Sequence, residues 1–179
     1  MEPFIKDKLK REDDLTMRDY SEIVRNKLRG MNMPVDGWHC LFVEDWEEDD
    51  FTCELCGNTK VRFVHHMVNE FTDDQIAVGC ICAGAMEGDV EAARLREKPL
   101  RNKAQRKRNF PNRKWERARS GSYYLNCPQG RVFINTSRFG GYGVSYQGRQ
   151  VWNYKGKKIQ DFNTACYAAF DLVEGEPSM

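Results

Sequence analysis

Four of the seven cysteines of this 179-residue chain, and two of its three histidines, fall in one stretch, FTCELCGNTKVRFVHHMVNEFTDDQIAVGCICAGAM, residues 51 to 86. Cys53 and Cys56 form a C-x2-C pair closed by Gly57. At that spacing a tight turn brings two thiolates to one ion, and backbone amides of the turn offset their charge. Cys80 and Cys82 follow as a C-x-C pair. If "IAVGCIC" is a strand, positions 80 and 82 face the same side and both reach an ion at one end of a hairpin. Zinc, tetrahedral with sulfur and nitrogen ligands, is the cofactor expected of this donor set. Cys53, Cys56 and Cys82 supply three ligands, and Cys80 takes precedence over His65 or His66 for the fourth place. The two histidines are adjacent, so on a strand they point oppositely and at most one of them serves.

Other thiol chemistries fit less well. An odd number of cysteines, without an export signal at "MEPFIKDKLKREDD", argues against a disulfide framework. A redox C-x-x-C belongs at the start of a helix, whereas "CELCGNTK" leads into a turn. A catalytic Cys–His pair lacks a recognisable orienting or oxyanion group. Four candidate thiolates close a site rather than leaving a place for water, which makes the expected role that of a staple.

The elements that must position these residues are legible from periodicity. Met17, Tyr20, Ile23, Val24 and Leu28 recur at helical spacing before Gly30 and Pro34, predicting an amphipathic helix over 17 to 29 that covers the core of its own chain or meets a partner. "WHCLFVED" reads as a strand, "VRFVHHMV" and "IAVGCIC" as a hairpin, and Asp89 as the cap of a short helix that Pro99 breaks. From about residue 120, turn signals separate the short strands "SYYLNC", "RVFINT", "YGVSYQ" and "QVWNYK". A closing helix comes last, in which Phe162, Ala165, Ala169, Phe170 and Val173 share a face behind an Asp161 cap. The fold class is therefore α+β, with a zinc-ribbon-like hairpin module, a basic connection, and an antiparallel three- to four-stranded sheet packed by one helix. The expected divisions are an N-terminal helical extension (1–33), the metal module (34–93), a basic linker or helix (94–119), the sheet-plus-helix domain (120–174) and a tail (175–179).

"CELCG", an apolar-aromatic strand and then "VGCICAGAM" resemble a group of small, largely uncharacterised bacterial and phage proteins with a zinc-ribbon-like unit of pattern C-x2-C-G followed by V-G-x-x-C. The resemblance covers residues 38 to 86 best and extends loosely through "RKW" to "AAFD". It implies a bound metal and no particular activity. In simpler versions of the pattern the position of Cys80 need not be cysteine. The strands and "TACYAAFD" helix of the C-terminal part are similar in architecture to the three-strand-plus-helix DNA-binding domains of plant ethylene-response factors and of integrase arm-binding domains. That likeness implies contacts from Tyr142, Tyr146, Arg149, Trp152, Tyr154 and Lys155.

The near-neutral net charge of +1 conceals a separation. Residues 36 to 56 hold eight acids and no Lys or Arg, whereas residues 94 to 119 hold twelve bases against Glu97 and Glu116. Such clustering is the footprint of phosphate contacts, and aromatics between the bases either stack on bases or anchor the segment. Arg101, Lys103, Arg106, Lys107, Arg108, Arg113, Lys114, Trp115, Arg117 and Arg119, with Arg149 and Trp152, are the candidate nucleic-acid-binding residues. Phosphate-binding loops, dinucleotide fingerprints and nucleophile elbows are missing from the sequence. The expectation is a non-enzymatic, cytoplasmic zinc protein that binds nucleic acid or regulates a nucleic-acid transaction, of phage or mobile-element type. The alternative is an adaptor or host-protein inhibitor that meets a protein partner through the N-terminal helix and the acidic stretch. No apolar run approaches the length that spans a bilayer.

Overall fold

Val24 and Leu28, one helical turn apart, are buried on a helix (α1) spanning 20–30, while Ile23, just before them, is half exposed. This is one end of the computed structural model, which describes residues 20–175. The predicted start of the helix at 17–19 lies outside the described residues. The chain divides into two compact units, Met1–Asn102 and Lys103–Met179, so the division falls inside the basic segment. Its class is α+β, with antiparallel sheets and a helix packed on a sheet.

In the first unit three antiparallel strands run in the order β1-β2-β3: Trp38–Asp45, Phe63–Asn69 and Gln75–Val78. The register pairs Val43 with His65 and His65 with Val78, which sets His65 in the centre of the sheet. Val64, Met67, Ile76 and Val78 join Val24 and Leu28 in the core. The expected strand "IAVGCIC" ends at Val78. Gly79 holds an extended conformation, and helix α2, Cys80–Glu87, begins at the first cysteine. The sequence after Gly79 is dominated by small residues, whose burial in a helix outweighs the strand character of a short apolar run. Helix α3, Val90–Asn109, starts against α2 at Gly84. A Cβ there would collide with the Val90 backbone, so only glycine lets the two helices approach this closely.

Asp89 does cap α3, accepting from the Ala92 amide at 2.9 Å. Pro99, however, does not break it, and the helix runs on for ten residues beyond to Asn109. An interior proline costs about 3 kcal/mol. The helix continues because side chains on either side of Pro99 are held: Ala93 and Glu97 are buried in the first unit, and Lys107 pairs with Asp171 in the second.

The second unit is built on a five-stranded sheet, one strand more than expected. Its order is β4-β5-β6-β7-β8, comprising Glu116–Arg117, Tyr123–Cys127, Gly130–Thr136, Tyr142–Tyr146 and Arg149–Val151. The predicted fourth strand is interrupted at Trp152, and its second half forms a small ribbon of β9, Asn153–Tyr154, with β10, Lys157–Lys158. Helix α4, Phe162–Glu174, covers one face, burying Ala165, Cys166, Ala169 and Phe170 against Val132, Ile134 and Val144. Asp161 caps it, taking hydrogen bonds from the Thr164 amide at 2.9 Å and hydroxyl at 2.7 Å. Asp161→Ala should therefore lower the stability of this unit by about 1 kcal/mol in urea denaturation, with the slope unchanged.

Candidate functional site

The turn at Cys53 is built by its own backbone. The Gly57 amide donates to the Cys53 carbonyl and the Cys53 amide to the Asn58 carbonyl, both at 2.8 Å, while the Glu54 amide reaches Ala77 on β3 at 3.1 Å. The Gly79 amide, at the mouth of α2, donates to Cys53 Sγ at 3.5 Å. Cys82, on the first turn of α2, brings its sulfur 3.7 Å from that of Cys53. Two thiolates on one tetrahedral ion at about 2.3 Å lie about 3.8 Å apart, so the pair is set for shared ligation. Cys53, Cys56 and Cys82 have their sulfurs within 4.8 Å of one another, and this cluster could bind a metal. None of the seven cysteines is in a disulfide. The Tyr20 hydroxyl lies 3.2 Å from Cys82 Sγ, and burial raises the Tyr20 pKa, keeping it protonated as a donor to sulfur. Hydrogen bonding with Cys82 draws the Cys53 pKa down to about 5, and the same contact drives Cys82 upward.

The fourth place is not filled as expected. Cys80 begins a helix instead of continuing a strand, so it and Cys82 do not share a face, and Cys80 Sγ groups with His65 and Glu97 instead. His65 is fully buried in the sheet within that second cluster. His66 lies on the opposite face of β2, stacked on Phe42 and 3.0 Å from Glu44. Both halves of a ribbon would sit on hairpin turns, whereas here the second half is a helix start. In the sequence Glu97 reads only as an acid within a basic run. Burial pushes its pKa up, but His65, Cys80 and Arg101 overcome this and leave it lowered. Burial, then Glu97, pushes the Cys80 thiol up to about 12.

The candidate nucleic-acid residues separate into groups. Arg101 pairs with Glu97 at 2.7 Å, Arg106 with Glu174 at 2.9 Å and Lys107 with Asp171 at 2.9 Å. The Lys107–Asp171 pair also receives the Tyr154 hydroxyl at 2.6 Å, so these side chains tie the end of α3 to α4. Trp115 donates to the Phe110 carbonyl at 3.3 Å and packs edge-on against Phe110 and Phe162, which makes it an anchor of the core. Arg113 and Arg117 lie over the rings of Phe110 and Tyr123. Lys103 is half-buried, while Arg108, Lys114, Arg119 and Arg149 are exposed.

Of the aromatics expected on the open face, Tyr142, Tyr146 and Tyr154 belong to the core beneath α4. The face away from α4 is set by the alternation with Val132, Ile134 and Val144. The register places Tyr124 beside Phe133, Phe133 beside Ser145 and Ser145 beside Gln150 in one row, with Asn135 beside Gly143 in the next. Trp152, 41% exposed, lies flat on Gly143, where a Cβ would come within 2.5 Å of the indole. Arg131 stands 4.5 Å from the Tyr124 ring centre. Only Trp152 of this set is evident from sequence; alternation through β6 around Val132 and Ile134 is the signal that could have found Phe133 and Arg131. No family model matches the chain, and no curated protein or solved structure matches it.

Proposed function

We propose that the chain is a non-enzymatic zinc protein whose second unit binds nucleic acid, with single strands as the preferred form. The observation that carries this reading is the face formed by Tyr124, Phe133 and Trp152 beside Arg131. Planar side chains on an open sheet stack on bases whatever their identity, and the neighbouring Asn135 and Ser145 offer hydrogen bonds to base edges. The charge supports it. Residues 103–179 hold 14 Lys and Arg against five Asp and Glu, a net charge of +9, whereas residues 1–102 hold 14 against 22, a net charge of −8. A phosphate backbone is drawn to the first of these and repelled by the second.

Zinc is the metal proposed for Cys53, Cys56 and Cys82, in keeping with the zinc-ribbon-like resemblance of residues 38 to 86. Three thiolates more than neutralise a dication, leaving it a weak Lewis acid, so its contribution is to hold the Cys53 turn to the start of α2. Fluorescence anisotropy of labelled single- and double-stranded DNA and RNA at rising salt tests the binding. Affinity should fall linearly in log–log form, with a slope of about 0.7 per phosphate contacted on single strands, and should favour single strands over duplexes. Absence of salt-dependent binding to any of the four would end the proposal.

A second reading, contact with a protein, draws on Leu41, Phe42 and Trp46, which are exposed on and beside edge strand β1 next to the acidic stretch. A stoichiometric protein partner that survives nuclease and is lost in Leu41→Ser/Phe42→Ser would favour it. Among the described residues no helix is long and apolar enough to cross a membrane.

A further inference from the structure

We propose that His65, Cys80 and Glu97 form a second metal site, distinct from the three-thiolate cluster and suited to a divalent ion of zinc's type. Each ligand comes from a different element, β2, α2 and α3, and the donor atoms all lie within 4.8 Å of one another. His65 is fully buried and Glu97 is 2% exposed.

The pattern of hydrogen bonds points to a ligand. His65 Nε2 and Glu97 Oε2 face each other at 3.8 Å, an ion-pair distance too long for a hydrogen bond, and neither atom has a hydrogen-bond partner although both are buried. A buried histidine beside a buried carboxylate ordinarily closes to about 2.8 Å. Donors on a tetrahedral ion instead sit roughly 3.3 to 3.8 Å apart, given bonds of about 2.0 to 2.3 Å. The outer atoms are already engaged. Glu97 Oε1 is clamped by Arg101 at 2.7 Å, which turns Oε2 inward. His65 Nδ1 lies 3.8 Å from Cys40 Sγ, so a proton on Nδ1 leaves the Nε2 lone pair for the ion. This is the arrangement by which outer partners orient metal ligands. The charges also balance, since a Cys80 thiolate and the Glu97 carboxylate neutralise a dication, with imidazole as the third donor. Cys80 and Glu97, with Arg101, line a cleft that Cys53, Cys56 and Cys82 also line.

The occupied site would tie α3 to the sheet and to the start of α2. Bound metal per chain, measured on the full-length protein after reconstitution with Zn2+ and then with Co2+, tests it. The parent should take two equivalents, with thiolate-to-cobalt absorption of two strengths. Glu97→Gln keeps the shape but removes an anionic donor; it should hold one equivalent and weaken the other by more than the roughly 10- to 100-fold typical of outer-shell changes. Cys80→Ala should do the same and keep the stronger absorption. A parent that takes only one equivalent, lost in Cys53→Ser and kept in Glu97→Gln, would overturn the site, as would two equivalents of unchanged affinity in Glu97→Gln. One equivalent kept in Cys53→Ser but lost in Glu97→Gln would support this site and remove the three-thiolate one.

Discussion

Cys82→Ser should lower the melting temperature of the first unit by roughly 15 to 30 °C, and hydrogen exchange should locate the loss in β1, β2, β3 and α2. Cys82 supplies a sulfur 3.7 Å from Cys53 and is itself buried, so serine removes a ligand and leaves a hydroxyl in an apolar place. A metal at a thousand times its dissociation constant adds about 4 kcal/mol of stability, and in a unit of this size each kcal/mol is worth about 4 to 8 °C. The core around Leu28, Val64 and Met67 keeps the unit from depending wholly on the ion, so the variant should melt early rather than be unfolded from the start. Chelator should bring the parent at least as low as the melting temperature of the untreated variant. Acid should act as chelator does, since the thiolates must be deprotonated to bind: the metal's contribution is present at neutral pH and lost as pH falls. A variant that melts with the parent, and a parent indifferent to chelator, would remove the metal from the account of this fold.

The second large effect concerns recognition. Replacing Tyr124, Phe133 and Trp152 together by leucine should weaken binding to a single-stranded oligonucleotide by on the order of 100-fold, with the urea midpoint of the second unit little changed. Stacking is worth about 1 to 3 kcal/mol per base, and leucine keeps apolar contact with the sheet while losing the planar face. The salt slope should stay the same, because the substitutions remove no charge. Arg131→Gln, which removes a charge from that face, should instead lower the slope. An unchanged affinity in the leucine variant would show that the aromatic row serves the sheet alone.

Much of the fold is readable from the chain, and the exceptions share a physical origin. Strand β1 coincides with "WHCLFVED", and Asp161 caps α4 as its position before an apolar helical face implies. The turn at Cys53, Cys56 and Gly57 carries its geometry in local sequence, and it forms as expected. Cys80 does not, because "IAVGCIC" is too short an apolar run for periodicity to tell a strand from the start of a buried helix. Pro99 is overridden by tertiary anchoring on both sides of it. The open face of the second sheet is hidden in the sequence because aromatics stand on both sides of it. Tyr142 and Tyr146 share their parity with Val144, which α4 covers, and only the pairing of β6 with β5 and β7 shows which parity that is. Glu97 is the least visible of all: one acid in a basic run has nothing local to mark it as buried.

The claim that the second unit's open face binds nucleic acid is tested most directly by mapping amide chemical-shift changes in the full-length protein as a single-stranded oligonucleotide is added. The shifts should cluster on β5 to β8, around Tyr124, Arg131, Phe133, Ser145 and Trp152, while the residues of α4 facing the core stay still. Shifts confined to the first unit, or no saturable shifts at a salt concentration near physiological, would contradict it.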